Sequence, residues 1–339
     1  RLAVEVSPDI AIIPRGTGGS RVVRVTVVNA WPGAFEGDVR LDLPVGWTAT
    51  PPTIPVRFSR EDEAQTVRFT VAPSPQAGGE YNIRATVHTP EGLFDVGYQV
   101  VEYSHIGRRH LVRPAESTIK LIDVDLPANL TVGYIEGVGD EVPSAIEQLG
   151  AAVEFVDADE LAWGDLSKFD VIVAGVRAYE RRPDLRANND RLLQYVYGGG
   201  TFIVQYNKFE FNNAQYGPYV AQVSRDRVTD ANAPIRVLST DHSVFGWPNS
   251  IGPTTWNDWV QERGLYFLGD KDPAYTDLVE LEDTFEWNPG TKRGALVEAR
   301  YGQGRWIYLG LGLWRQLPAG TVGAYQLLAN LLSLGITLE

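Results

Sequence analysis

Eleven side chains able to bind a ligand follow three predicted strands in the last two thirds of this chain. In open α/β sheets, ligands bind at the carboxyl ends of the strands, so we expect these side chains to meet at one edge of a sheet. These rim residues are Arg177, Tyr179, Glu180, Arg186, Asn189, Gln205, Tyr206, Asn207, Glu210, Trp314 and Arg315. Aromatic faces with Arg, Asn and Gln donors suit a sugar, which offers an apolar ring face and hydroxyl groups. The alternative is a buried hydrogen-bonded network that fixes loops.

Two other motifs have simpler structural interpretations. Gly137, Gly139 and Asp140 lack the spacing of a full dinucleotide-binding fingerprint, and an acid there would repel phosphate, so they predict the start of a helix. His242 follows Asp241 and could act as a base, but the sequence places no Ser or Cys in evident reach. We therefore predict no catalytic residue.

Acidic and glycine-rich segments also favour structural roles. Asp157, Asp159 and Glu160 could hold calcium, but acids in the first turn of a helix are commoner. Three consecutive glycines at 198–200 are interpreted as the end of a helix before a strand. We predict no metal and no cofactor.

Composition excludes several classes of function. The chain has no Cys, which removes disulfides and thiolate nucleophiles. A formal net charge of -13 argues against a nucleic-acid partner. The sequence has no apolar run long enough to span a bilayer. Because the chain contains no Met and opens with Arg1, we expect a fragment or a processed product of a longer protein.

Residues 1–103 show the alternation of an antiparallel β-sandwich. Apolar and polar residues alternate at 22–29, 38–43, 66–71 and 81–87, with Gly and Pro turns between them. This pattern predicts an immunoglobulin-like sandwich. Trp47 is interpreted as a core residue between the sheets, with sugar stacking as the less favoured alternative.

Residues 104–130 are interpreted as a connector. They contain a basic cluster, followed by a strand-like segment at 119–124. Because charge runs usually form solvated faces, we expect this cluster to pair with the acidic second domain rather than with a ligand. Its members are His105, Arg108, Arg109, His110 and Arg113.

From residue 131 to 339 the pattern changes to alternating strands and helices. Short apolar runs at 130–135, 153–156, 169–175 and 201–206 are separated by helical segments, of which 143–149 is one. Buried strands between helices predict a parallel sheet in a flavodoxin-like α/β domain. A hairpin is predicted at 294–310 and a closing helix at 324–334, while Trp256 and Trp259 are expected to cover the rim.

Several motifs carry a resemblance to a known family. The segments GYIEGVGDEVPSAIEQLG, DVIVAGVRAYERRPDLRANNDRLLQYV, GGGTFIVQYNKFEFN and GLGLWRQLPAG resemble the carboxy-terminal half of large bacterial PIG-L (LmbE-like) deacetylases, which is class I glutamine amidotransferase-like. The segments LPVGW and AGGEY are similar to immunoglobulin-like domains appended to bacterial carbohydrate-active enzymes. The resemblance implies a periplasmic or extracellular location and an upstream zinc-dependent deacetylase domain in the parent protein.

The resemblance does not extend to catalytic residues. The HPDDE-type zinc motif of the deacetylase domain is absent, and the amidotransferase Cys has no counterpart near Gln205–Asn207. Glutamine hydrolysis is therefore excluded. The resemblance implies a non-catalytic accessory region that binds or positions a carbohydrate or glycoconjugate. The alternatives are a structural or homo-oligomerisation module without a small-molecule ligand, and a hydrolase that uses Glu180 or Glu210.

Overall fold

The computed structural model describes residues 1–103 and 106–336. His105 of the predicted basic cluster, and the side chains of Arg108, Arg109 and His110, lie outside the described part. The chain divides into two compact units, Arg1–Asp123 and Val124–Glu339.

The first unit consists of strands in two main sheets. Their bounds are β1 Leu2–Ser7, β2 Ile10–Pro14, β3 Arg21–Asn29, β4 Phe35–Asp42, β5 Thr48–Thr50, β6 Ile54–Phe58, β7 Ala64–Ala72, β8 Gly79–Thr89, β9 Gly92–Phe94, β10 Val96–Tyr103, β11 Ile106–Pro114 and β12 Glu116–Ile122. One sheet has the order β1-β3-β7-β5 and the other β2-β12-β8-β4-β6, with β9 beside β8. All pairs are antiparallel except β12 with β2.

Strict alternation builds the core of this unit. Val23, Val25 and Val27 of β3 are fully buried, while Val22 between Arg21 and Val23 is exposed. Residues of both sheets share one apolar cluster, so the unit is a two-sheet sandwich. Trp47 is 7 % exposed and its ring centroid lies 4.9 Å from that of Tyr81, which confirms its prediction as a core residue.

The predicted connector differs from the observed structure. Residues 106–114 form β11, which pairs with β10 as a hairpin, and 116–122 form β12 inside the six-stranded sheet. The division between the units follows Asp123 rather than residue 103. The physical reason is that Ser117, Ile119 and Leu121 point inward at alternate positions, as a central strand requires.

The second unit has a seven-stranded sheet, small sheets and short helices. The strands are β13 Thr131–Ile135, β14 Ala152–Phe155, β15 Val171–Ala174, β16 Thr201–Gln205, β17 Ala221–Val223, β18 Arg227–Val228, β19 Ile235–Val237, β20 Gly264–Leu265, β21 Leu268–Lys271, β22 Tyr275–Asp277, β23 Val279–Glu282, β24 Thr291–Arg293, β25 Leu296–Tyr301 and β26 Gly304–Leu309. The α-helices are α1 Val142–Leu149, α2 Ala158–Trp163, α3 Ala178–Arg181, α4 Pro183–Ala187, α5 Asn189–Tyr197, α6 Leu313–Gln316 and α7 Val322–Leu332. The 3₁₀ helices are Leu166–Lys168, Phe209–Asn213, Ser243–Phe245 and Pro253–Trp256.

The large sheet has the order β14-β13-β15-β16-β26-β25-β22. The first five strands in this order are parallel, while β25 and β22 are antiparallel to their neighbours. Phe202 and Val204 join a core that includes residues of α2, α4 and α5, and Ile203 between them is also buried. Both faces of the sheet are therefore covered, as parallel strands require. The predicted 294–310 hairpin is formed by β25 and β26.

Helix boundaries follow the expected signals. The carboxylate of Asp157 accepts the Glu160 amide at 2.8 Å, so it caps α2 as predicted. Helix α5 ends before the glycine run, and Gly199 takes a positive φ of 119°. Within the described residues, no helix combines the length and apolarity needed to cross a membrane.

Candidate functional site

The turn after β15 carries the first rim side chains. Arg177 has a left-handed backbone conformation (φ 56°), and its N–H donates to the Tyr206 carbonyl at 3.0 Å, which ties this turn to the end of β16. Its guanidinium donates to both oxygens of Glu180, at 2.6 and 2.5 Å. The bidentate bond raises the pKa of Arg177 above its ordinary value. Both side chains remain about a quarter exposed.

An aromatic group lies at the carboxyl end of β16. The ring of Tyr206 stacks on Tyr266 (centroids 5.8 Å apart, 13° between planes) and packs at 38° on Trp314 at 4.4 Å. Burial raises the pKa of Tyr206, while the charges of Arg177 and Arg315 partly offset that rise. Both guanidinium groups therefore lie near enough to the Tyr206 hydroxyl for their charges to act on it.

The second guanidinium group is held by the loop before β20. Arg315 donates to the Glu262 carboxylate and to the Gln261 side-chain carbonyl, each at 2.6 Å. Gln261 and Tyr266 both have positive φ, of 64° and 53°, which is uncommon for residues with a β-carbon. Together with Arg177, three residues with a positive φ lie around the aromatic rings at the end of β16. Strained backbone of this kind is enriched at functional sites.

Glu210 adds a carboxylate without a described partner. Its Oε2 atom is buried and makes no hydrogen bond with any residue that the structure describes. Its charge contributes to the raised pKa of Arg177, so the two side chains lie near each other. We define the aromatic site as Arg177, Tyr206, Glu210, Tyr266, Trp314 and Arg315.

Four rim residues form a buried network beneath this site. The Tyr179 hydroxyl donates to Asn189 Oδ1 at 2.7 Å, and the Asn189 amide donates to the Tyr216 carbonyl at 3.0 Å. Asn207 Oδ1 accepts the Tyr179 N–H at 3.1 Å, and its amide donates to the Gln205 carbonyl at 2.9 Å. All four are at most 4 % exposed. These four rim residues therefore form the buried hydrogen-bonded network that the sequence left open as the alternative to a ligand pocket.

Two further contacts complete that support. Arg186 donates to the backbone carbonyls of Tyr179 and Glu180 and so joins α4 to α3. The Gln205 amide donates to the Tyr134 hydroxyl at 2.9 Å, which in turn donates to Asp140 at 2.7 Å. Asp140 also accepts the Val142 N–H at 3.0 Å and so lies at the start of α1 as expected, but the N-cap position is Glu141, whose side chain makes no capping hydrogen bond.

The structure separates other predicted residues from the aromatic site. Nε2 of His242 pairs with Glu298 rather than with Asp241, and Nδ1 accepts the Val244 N–H at 3.2 Å. Trp256 and Trp259, which were expected to cover the rim, are buried, at 7 % and 4 % exposure, and their ring centroids lie 5.8 Å apart.

Sequence reasoning missed Tyr266, Gln261 and Glu262 at this edge. They lie in the loop around β20 rather than directly after a strand of the large sheet. The sequence did contain one signal: an amide and an acid, Gln261 and Glu262, follow Trp259 and could pair with a rim arginine. In the structure they bind Arg315.

The opposite end of the sheet holds a cavity of about 710 Å³. Its charged residues already have structural partners. Arg191 donates to carbonyls at the end of α2, including Gly164 at 2.6 Å, and Asp170 accepts the Thr131 N–H at 2.8 Å. The charged side chains that line this cavity therefore serve structural hydrogen bonds. Among the described residues, no group of three or more His, Cys, Asp or Glu could hold a metal ion.

No protein-family model and no curated protein matches the chain. Among solved structures, a β-galactosidase from Bacillus circulans sp. alkalophilus has a TM-score of 0.37 at 15% identity, covering 61% of this chain and 31% of its own. A β-galactosidase from Rahnella sp. R3 has a TM-score of 0.35 at 16% identity, covering 59% and 31%. The chain thus spans about a third of the length of these enzymes. At TM-scores below 0.5, such likenesses establish neither a family nor a function.

Proposed function

We propose that this chain is a non-catalytic accessory region of a PIG-L-type deacetylase that binds or positions a carbohydrate or glycoconjugate at the aromatic site. The observation that carries the proposal is the pair of partly exposed rings, Tyr266 and Trp314, that pack on the buried Tyr206 ring near the Arg177 and Arg315 guanidinium groups. Aromatic rings next to a few convergent polar groups are the usual composition of a small-molecule site.

The electrostatics of the site favour a neutral ligand. Arg177 is already paired with Glu180, and Arg315 with Glu262. Their remaining N–H groups can donate to hydroxyl oxygens, but the paired charges leave little attraction for a phosphate. The chain's net charge of -13 adds to that discrimination.

The same pairing argues against the hydrolase alternative. Glycosidases need two carboxylates free to act on either side of a bond. Both oxygens of Glu180 accept hydrogen bonds from Arg177, and this leaves Glu210 as the unpaired carboxylate of the two candidates. Ligand binding, unlike hydrolysis, would leave the hydrogen bonds between Arg177 and Glu180 intact.

Fold details support the proposed relationship. The strand order of the parallel part, β14-β13-β15-β16-β26, corresponds to the 2-1-3-4-5 order of flavodoxin-like folds, to which we assign the second unit as a glutamine amidotransferase-like domain without its Cys. We also assign an immunoglobulin-like fold to the first unit, an upstream deacetylase domain to the parent protein, and a periplasmic or extracellular location.

A thermal-shift and calorimetric titration tests the proposal. The probes are oligomers of N-acetylglucosamine and of glucosamine, and the variants are Trp314→Ala and Arg177→Gln. Ligand that binds only the folded state must raise the unfolding temperature, so the wild type should gain several degrees and both variants should lose that gain.

The matched control is Arg182→Gln. Arg182 forms a similar bidentate pair, with Asp184, and is similarly exposed, but it lies outside the aromatic site. This variant should keep the ligand response. Absence of a shift with every probe, or an equal loss in all three variants, would contradict the proposal.

One observation favours a homo-oligomerisation module as the second candidate. Strand β14 is an edge of the large sheet, and Phe155 on it is 56 % exposed. Unprotected edge strands can pair with another chain. A dimer by light scattering that dissociates in Phe155→Lys, in a protein that binds no glycan, would favour this candidate.

A further inference from the structure

A second pair of aromatic rings lies outside the aromatic site, on the loop between β23 and β24. The rings of Phe285 and Trp287 are nearly parallel, with 11° between planes and centroids 5.7 Å apart. They are 43 % and 63 % exposed. Large aromatic side chains usually lose most of their surface on folding, so an exposed stacked pair calls for an explanation.

Buried polar groups hold the loop in place on one side. The carboxylate of Asp283, 6 % exposed, accepts the Thr229 N–H and hydroxyl at 2.8 and 3.0 Å and the Asn288 amide at 2.7 Å. These donors lower the pKa of Asp283 although its burial alone would raise it. The Asn288 amide also donates to the Arg227 carbonyl at 2.9 Å.

A buried lysine holds the other side. Lys292 is 8 % exposed, and its ammonium donates to the carbonyls of Asn288, Pro289 and Gly290 at 3.2, 2.9 and 3.0 Å. These bonds fix the chain directly after Trp287. The two rings are therefore displayed by a preorganised loop, which reduces the entropy cost of binding.

We propose that Phe285 and Trp287 form a second carbohydrate-binding platform, in which the outer face of the Trp287 indole, backed by the Phe285 ring, packs against the apolar face of a neutral pyranose ring. The ligand class rests on the proposed function, whereas the platform is independent of the aromatic site. The Trp287 indole N–H makes no hydrogen bond within the described part of the chain, so it is available to a sugar hydroxyl.

Size and charge select this ligand over others. Two partly exposed rings offer far less than the roughly 800 Å² per partner that a stable protein interface buries. Glu282, Glu286 and Thr284 beside the rings are exposed and polar, so the apolar patch does not extend along the loop. The two glutamates also repel the phosphates of a nucleotide, which could otherwise stack its base on the rings.

Calorimetric titration of the full chain with cellotetraose and tetraacetylchitotetraose tests the platform. Trp287→Ala should weaken binding of at least one probe by tenfold or more, because it removes the larger ring. Lys292→Met keeps both rings but releases the loop, so it should weaken the same probe by a smaller factor. Because Trp287 is mostly exposed, its removal should leave the unfolding temperature unchanged.

Trp163→Ala is the matched control, since Trp163 is 86 % exposed and lies on α2. It should bind as the wild type does. Wild-type affinity in Trp287→Ala, or no binding of either probe by the wild type, overturns the platform. Trp314→Ala separates the two sites: binding lost only in Trp314→Ala supports the proposed function and overturns the platform. Binding lost only in Trp287→Ala does the reverse.

Discussion

The second unit contains two polar clusters that differ in how completely their groups are paired. In the interior network, Asn330 donates to the carbonyls of Val244 and Asn249 and accepts both N–H groups of Asn249, with every distance between 2.7 and 2.9 Å. Val244 links this group to His242 and Glu298. In the aromatic site and its support, Glu210 Oε2 and Gln205 Oε1 have no described partner.

Under the proposed function, this difference separates groups that stabilise the fold from groups that accept a ligand. A buried polar atom without a partner costs free energy, so native proteins keep few of them. Complete pairing in the interior network makes each member costly to remove. Incomplete pairing and strained backbone at the aromatic site are tolerated where binding uses them.

The largest expected effect is on Glu298 in the interior network. Glu298 is 6 % exposed and accepts hydrogen bonds from His242 and Arg305. Glu298→Gln should lower the free energy of unfolding by about 3 kcal/mol at neutral pH, because it leaves the Arg305 guanidinium, whose side chain is 18 % exposed, without its carboxylate. Urea titration measures the loss, and the exposed Glu282→Gln is the control. A cost below about 1 kcal/mol would place Glu298 outside the stabilising cluster.

The loss in Glu298→Gln should depend on pH. Burial alone would raise the pKa of Glu298, but the bond to His242 and the charges of Arg305 and Arg300 lower it below 4.5. A carboxyl group whose pKa is lower in the folded than in the unfolded protein stabilises the fold at every pH above the unfolded-state pKa. That stabilisation disappears as the pH falls through the folded-state pKa. The two proteins should therefore converge as the pH falls below about 4.5, the ordinary carboxyl pKa, and through the lower pKa of the folded state. A difference that stays constant over this range would refute the linkage.

The next effect concerns Asn330, which is fully buried on α7. Asn330→Ala leaves two carbonyls and two N–H groups of the loop unpaired, and should cost about 2 kcal/mol. Chemical denaturation measures the change, with Val322→Ala, at an exposed position of the same helix, as control. Because Ala is a better helix former than Val or Asn, propensity alone would stabilise both variants, and a loss below about 0.5 kcal/mol in Asn330→Ala would mean that the pairing contributes little.

The clusters also show how far the fold could be predicted. Alternation at Val23, Val25 and Val27 is local, so it predicted β3 directly. The place of β12 depends on pairing with β2, more than a hundred residues away, and no local pattern encodes that partner. The basic residues upstream suggested a solvated connector, whereas Ile119 and Leu121 carried the stronger signal.

The candidate site was predictable in position but not in side-chain direction. Residues after β15 and β16 do meet, because parallel strands share one carboxyl edge. Whether a residue points outward, as Arg177 does in part, or inward, as Tyr179 does, depends on the turn that follows the strand. Tyr266 reaches the edge from a distant loop, and only the tertiary fold brings it there.

At the aromatic site, the effects on stability should be small. Arg177→Gln breaks the pair with Glu180, in which both side chains are about a quarter exposed, and should cost no more than about 1 kcal/mol. The same variant should abolish the sugar response described above. Parallel urea and ligand titrations measure both quantities. A loss of stability as large as in Glu298→Gln would remove the contrast between the clusters.

The smallest expected effect is at Glu210. Glu210→Gln replaces a carboxylate whose buried oxygen has no described hydrogen bond, so it relieves a desolvation cost while it gives up some attraction to Arg177. We expect the free energy of unfolding to change by less than about 0.5 kcal/mol. Ligand affinity should change more than stability, because a sugar hydroxyl that donates to the carboxylate would meet a weaker acceptor. Calorimetry on the two proteins decides this. Reduced stability with unchanged affinity would make Glu210 a member of the internal network, and the free carboxylate would no longer distinguish the aromatic site from the interior.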